Sequence, residues 1–135
     1  MATETAISTG ALLRELILSS PEVTAITTNI FPCVAFEDTL LPYIQYQCAG
    51  LDVTATKPGG DVDKVLYDVA IFTEDFDQGA TLAEAVRAAV SHRKVTDGAL
   101  FVSNVRIINF TTHWAGDAYA HVLRVQISTN TLNPN

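Results

Sequence analysis

Residues 64–90, KVLYDVAIFTEDFDQGATLAEAVRAAV, change hydrophobic period once, and that change decides the fold class. Over residues 64–73 the pattern alternates: Val65, Tyr67, Val69 and Ile71 point one way, Leu66, Asp68, Ala70 and Phe72 the other. A period of two is that of a half-buried strand. Leu82, Ala85, Val86, Ala89 and Val90 then fall at helical spacing and form one apolar stripe. Thr81-Leu82-Ala83-Glu84 has the form of a capping box and predicts the helix start. Glu74, Asp75 and Asp77 read as solvated acids in the loop before it. The strand and the helix each expose one apolar face, so each must be buried against another layer.

The flanks extend this pattern. Upstream, residues 10–19 place Leu12, Leu13, Leu16 and Ile17 on one helical face, with Arg14 and Glu15 turned away and Thr9 as N-cap. Ser20-Pro21-Glu22 restarts the chain, because Ser caps, Pro suits the first helical position and an acid suits the first turn. A short helix is predicted over residues 21–27. Ile30-Phe31-Pro32 reads as a strand placed at an edge or bulge, since proline cannot donate to a ladder. Residues 43–49 alternate, with Ile44, Tyr46 and Cys48 on one face. Lys57-Pro58-Gly59-Gly60 is a turn signal between this strand and the one at 64–73, which predicts a long projecting β-hairpin.

Downstream, His92, Arg93 and Lys94 suit the end of the second main helix. Two β runs, at about 99–111 and 118–129, flank a turn at His113-Trp114-Ala115-Gly116-Asp117. On the last strand Tyr119, His121, Leu123, Val125 and Ile127 share a face. The expected architecture is α+β. It is one domain over residues 1–135, with about four to five mostly antiparallel strands and both main helices on one face. Residues 1–9 and 129–135 are expected as flexible ends.

Composition narrows the function classes. Of 135 residues, 15 are Asp or Glu and 8 are Lys or Arg, giving a net charge of −7. Charged residues make up 17%, against roughly 25% in typical proteins, while 48% are hydrophobic. That apolar content argues against disorder. The acidity argues against sequence-independent nucleic-acid binding, which depends on Lys and Arg neutralising phosphates. No stretch has the apolar length of a membrane-spanning helix, so no membrane partner is expected. The acidic start Met1-Ala2-Thr3-Glu4 does not resemble a secretory signal. Cys33 and Cys48 fit no zinc or CxxC spacing and are expected as small, buried or half-buried side chains.

Catalytic and metal chemistry find little support. Cys48 and His121 both fall on predicted apolar faces and could pair across strands, but no nucleophile signature surrounds either. His92, His113 and His121 have no metal-ligand spacing. Glu37-Asp38 and Glu74-Asp75-x-Asp77 are acidic clusters that could attract calcium, but the latter lacks the alternating ligands and glycine of a calcium loop. Gly59-Gly60 has no phosphate-binding context. No catalytic residue, cofactor or metal is therefore expected. Trp114 admits two readings: it folds back onto the core, or it stands out as a partner anchor, a role in which Trp is enriched.

The charge is not spread evenly. Residues 37–77 hold nine acids and two bases, and the rest of the chain is balanced at six of each. Outside that segment the exposed positions rely on neutral polar residues, with Thr occurring 16 times. Such a surface suits β structure and also suits faces buried in an assembly.

The order LLRELILSSPEVTAI, NIFPCVAFEDTLLPYIQY, VLYDVAIFTEDFDQGATLAEAVRAAV and a closing β-hairpin resembles the tail-completion, or tail-terminator, proteins of long-tailed bacteriophages. The likeness runs over residues 10–128. It implies a non-enzymatic virion protein made in the bacterial cytoplasm and placed at the head-proximal end of the tail. Copies would form a homo-oligomeric ring, usually a hexamer, that stops tube growth and meets the head connector. Tail tube protein and a connector or neck protein would be its partners, with DNA only as passing cargo. The family has no catalytic motif to carry over. Asp52, Lys57, Asp61, Asp63 and Trp114 are the candidate channel- or partner-facing residues. The alternatives are a neck or connector protein of the same virion and, more distantly, a small cysteine-dependent hydrolase.

Overall fold

The computed structural model describes residues 9–35, 39–57, 60–91, 95–97 and 100–131. Helix α1 (Thr9–Leu18) and helix α2 (Pro21–Thr24) precede strand β1 (Ile30–Pro32). Strands β2 (Tyr43–Lys57) and β3 (Gly60–Thr73) follow, then helix α3 (Phe76–Val90). Strand β4 (Val95–Asp97) leads into β5 (Leu100–Trp114) and β6 (Tyr119–Thr131). The strands form one sheet in the order β1-β2-β3-β6-β5-β4. Every pairing is antiparallel except β1 with β2, which run parallel. This is the expected α+β architecture, with four long strands and a three-residue strand at each edge.

The alternation read from the sequence sets the faces. Ile44 and Tyr46 on β2, Val65, Tyr67, Val69 and Ile71 on β3, and Leu123, Val125 and Ile127 on β6 are all buried under the helices. From the helical side come Leu13 and Ile17 of α1 and Leu82, Val86 and Val90 of α3, each fully buried. At the start of α1, the Thr9 hydroxyl donates to the Tyr67 hydroxyl at 3.2 Å, fixing the helix above β3. On the opposite sheet face, Arg124 and Asp68 stand directly across β3 and β6 and form a two-pronged ion pair at 2.9 and 3.1 Å.

Several boundaries differ from the sequence reading. Helix α3 begins at Phe76, not Thr81, because the Asp75 carboxylate accepts from the Asp77 backbone N–H at 3.3 Å and caps the helix. A side-chain acceptor on the first free amides stabilises an N-terminus wherever it occurs, and here the earlier acid supplies it. Thr81 and Glu84 lie inside the helix. Helix α2 stops at Thr24, although Ser20 is its N-cap as expected. Strand β6 continues to Thr131, with Thr129 buried, so the end expected to fray from residue 129 starts within the sheet. Cys33 and Cys48, expected to be buried or half-buried, are both exposed. The Pro58-Gly59 turn, the acids Glu37 and Asp38, the basic run His92-Arg93-Lys94, and residues 1–8 and 132–135 lie outside the described residues.

Candidate interaction surface

The helices cover the sheet unevenly. Helix α3 packs on β3 and β6 and reaches the Val105 part of β5, and α1 packs beside it toward β2, which leaves the helix-side face of the last part of β5 open. Along β5 the register places Phe110 opposite Leu123, Thr112 opposite His121 and Trp114 opposite Tyr119. These residues therefore point to the helix side without a helix above them. Phe110 is 47% exposed, Trp114 57%, and Phe76 at the start of α3 44%.

The rings form a connected row. Trp114 meets Tyr119 edge-on at 4.9 Å, Tyr119 meets Phe76 edge-on at 5.6 Å, and Phe76 leans on His121 at 4.8 Å. Phe110 closes the row at 6.1 Å from the same imidazole. His121 itself is fully buried, and among the described residues neither ring nitrogen has a hydrogen-bond partner. Burial lowers its pKa from the usual 6.5, so the ring acts as a neutral, apolar platform for its aromatic neighbours. A surface row of Trp, Phe and Tyr held on regular elements has the composition of a protein-binding hot spot.

Further along α3, Ala80, Ala83, Ile107, Phe110 and Leu123 line an apolar groove of about 160 Å³ between the helix and β5. That is well below the roughly 300–1,000 Å³ of small-molecule sites and suits inserted side chains. Arg87 and Ile107 are shared with an adjoining polar hollow of about 330 Å³, also lined by Ser91, Asn104 and Arg106. Glu84 and Arg87 of α3 also line the groove, so its wall passes from apolar to mixed charge.

The candidate residues do not converge. Trp114 ends β5, and the tight turn after it is closed by the Ala115 N–H donating to the Ala118 carbonyl at 2.8 Å, with Gly116 at φ +98°. Lys57 and Asp61 lie at the opposite end of the sheet, where Lys57 pairs with Gly60 and Ala55 with Asp61. The thirteen steps of β3 between those ends span roughly 43 Å. Asp52 is exposed opposite Lys64, whereas Asp63 is only 7% exposed.

The Cys48–His121 pairing is overturned. Cys48 lies opposite Tyr67, which lies opposite Val125, four residues along β6 from His121. A whole strand separates the two, and one side chain is exposed while the other is buried. Among the described residues, no group of three or more His, Cys, Asp or Glu could hold a metal ion. None of the described helices is long and apolar enough to cross a membrane. The sequence reading missed Phe76, Phe110 and the groove. The Phe110-Thr112-Trp114 alternation was legible, but which side of β5 lacks a helix was not.

Comparison with known proteins places this geometry. The family described as Tail completion protein gp17 matches residues 11–130. A chain in the solved virion of a native gene transfer agent particle shares the fold, with a TM-score of 0.71 at 12% identity. That match covers 87% of this chain and 91% of the other. No curated protein matches the sequence significantly.

Proposed function

The chain belongs to the tail completion protein gp17 family, and on that premise we propose that copies of it close into a ring, six by the family resemblance, at the head-proximal end of a phage tail. Membership makes it a structural component of a phage-type tail, and the ring assignment is the finer reading. The ring stops addition of tube subunits and offers its other side to a head connector or neck protein. It works by shape and contact, without catalysis.

The observation that carries this reading is the separation of two unlike ends on one rigid sheet. One end presents the aromatic row of Phe76, Trp114 and Tyr119, and the other is the β2–β3 hairpin, where Asp52, Asp61 and Asp63 are interspersed with Lys57 and Lys64. A capping ring must meet two different partners along its axis, and opposite ends of continuous strands hold two surfaces in fixed relation. The aromatic end supplies anchors for one axial partner. The hairpin, with Asp52, Lys57 and Asp61, is placed toward the DNA channel, where carboxylates repel phosphates and let the duplex pass without binding. Asp63, buried in the chain, contributes inside the hairpin and not at the channel surface.

The test is complementation of tails made without this protein, scored by electron microscopy for tail length and head attachment. Wild type should restore tails of uniform length joined to heads. Trp114→Ala should leave the protein folded and reduce joining or length control. Asp52→Lys with Asp61→Lys should assemble normally and slow DNA ejection. Overlong tails that persist with wild-type protein, or full activity of both variants, would refute these assignments.

A further inference from the structure

Each side of the sheet ends in a three-residue strand that covers only part of its neighbour. Strand β1 pairs with Ile44–Tyr46 of β2, and β4 pairs with Leu100–Val102 of β5. The uncovered length of β2, from Gln47 to Lys57, carries Gly50, Asp52 and Lys57. The uncovered length of β5, from Asn104 to Trp114, holds no proline, glycine, lysine or acid. It therefore lacks most of the residues that blunt an edge. Among the described residues no strand lies beside it over its ten steps, roughly 33 Å. A register shift against β6 at Ile108 interrupts it, and Asn109–Trp114 then runs six residues without a shift. Free backbone donors and acceptors along such an edge are matched by another extended chain.

A cationic hollow lies on the same edge. Arg87 and the cap residue Ser91 at the end of α3 meet Asn104 and Arg106 of β5 around a space of about 330 Å³. Both arginines are exposed, and among the described residues neither forms an ion pair. Glu84, one turn before Arg87, lines the neighbouring apolar groove, so the edge carries two cations and one anion. Two unpaired guanidiniums beside a hydroxyl and an amide form the donor set of a carboxylate site. The groove adjoins it through Ile107 and continues to Phe110.

We propose that the outer edge of β5 takes up an extended acidic segment of a partner protein as an added strand. Arg87 and Arg106 hold a carboxylate of that segment, and the α3–β5 groove takes an apolar side chain. By register Arg106 stands opposite Gln126 and Phe110 opposite Leu123, three residues apart, so the two leave β5 on opposite faces. Acidic and apolar residues should accordingly alternate along the segment. A second copy fits this edge less well. With two copies level, β1 stands level with Phe110–Thr112 and β4 with Val53–Thr54. The β5 of one copy and the β2 of the next then stay two strand spacings apart, about 10 Å. A copy turned to pair β5 with β5 brings two further guanidiniums and only Glu84 against them. An acidic segment supplies the missing charge, and alongside Asn104–Trp114 it meets neither short strand.

The probe is a capped peptide of alternating aspartate and valine, about as long as the free edge, titrated into the isotope-labelled full-length protein. Amide NMR shifts should move along Asn104–Trp114 and at Ser91, and saturate. The same peptide N-methylated at every residue, which removes its backbone donors, should bind at least about tenfold more weakly. Arg87→Glu with Arg106→Glu, shown folded by circular dichroism, should lose the aspartate peptide to a similar degree and gain a lysine–valine counterpart. No shifts on β5, equal binding of the N-methylated peptide, or unchanged affinity of the variant overturns the strand site. Movement of these amides with a short DNA duplex and not with the peptide assigns the hollow to phosphate and also overturns it. So does movement on concentrating the protein alone without a response to peptide, which assigns the edge to self-pairing. The site does not depend on ring closure, and its failure leaves the complementation test of the ring untouched.

Discussion

Gly79 of α3 lies directly over the imidazole of His121 on β6: a Cβ at that position would stand 2.5 Å from Nδ1, and 2.8 Å from the Thr73 hydroxyl. The missing side chain lets the first turns of α3 settle onto the sheet and seals the histidine from water. It also positions Phe76, three residues earlier, against the exposed aromatic row.

Gly79→Ala therefore tests close packing against helix propensity. Alanine favours a helix by about 1 kcal/mol over glycine. Overpacking a dense site typically costs 1–3 kcal/mol. Both neighbours here are held from below, so packing should prevail, with a net loss of about 1–2 kcal/mol in urea unfolding. Adding His121→Val should recover part of it. A Gly79→Ala protein more stable than wild type would show that the helix can lift without loss.

His121 also sets a pH dependence. Its folded-state pKa is lowered by burial from 6.5, so above that value the ring is neutral both folded and unfolded. As the pH falls through 6.5 the unfolded chain gains a proton that the folded chain does not, and stability declines. The decline levels off below the folded-state pKa. His121→Leu should remove this component, seen as a flatter plot of denaturation midpoint against pH between neutral and mildly acidic conditions.

Leu82 reads out the helix–sheet core. It is fully buried on the stripe of α3, and truncation leaves a cavity that rigid strands cannot fill. Leu82→Ala should cost about 2–5 kcal/mol, measured by chemical denaturation. The exposed Phe110→Ala should cost much less stability while weakening assembly. Equal losses from the two would mean that Phe110 belongs to the core.

The thiols distinguish a structural protein from a cysteine hydrolase. Cys33 and Cys48 are both exposed, and His121 is a strand away from Cys48. Both should react with a thiol reagent in the folded protein, at rates no greater than in urea. A single thiol reacting much faster when folded would indicate an activating base nearby.

The sheet and its faces were legible because alternation is a local property. Val65 through Ile71 and His121 through Ile127 declare their buried side without reference to any partner strand. The stripe of α3 was equally plain, but its start was not. Thr81–Glu84 and Asp75 both offer caps, and choosing between them depends on where the sheet admits the helix, which Gly79 and His121 decide.

The sequence by itself determined an α+β domain, the β1 edge through Pro32 and the confinement of net charge to one segment. It also carried the resemblance to tail-completion proteins that the family match later bore out. Tertiary structure decided the rest. Strand order placed β3 between Cys48 and His121. The limited width of the helix layer left the end of β5 uncovered, which put Phe110 on the surface and decided between the two readings of Trp114 in favour of exposure. Periodicity tells a residue which face of a strand it occupies, whereas burial depends on what the rest of the chain lays over that face.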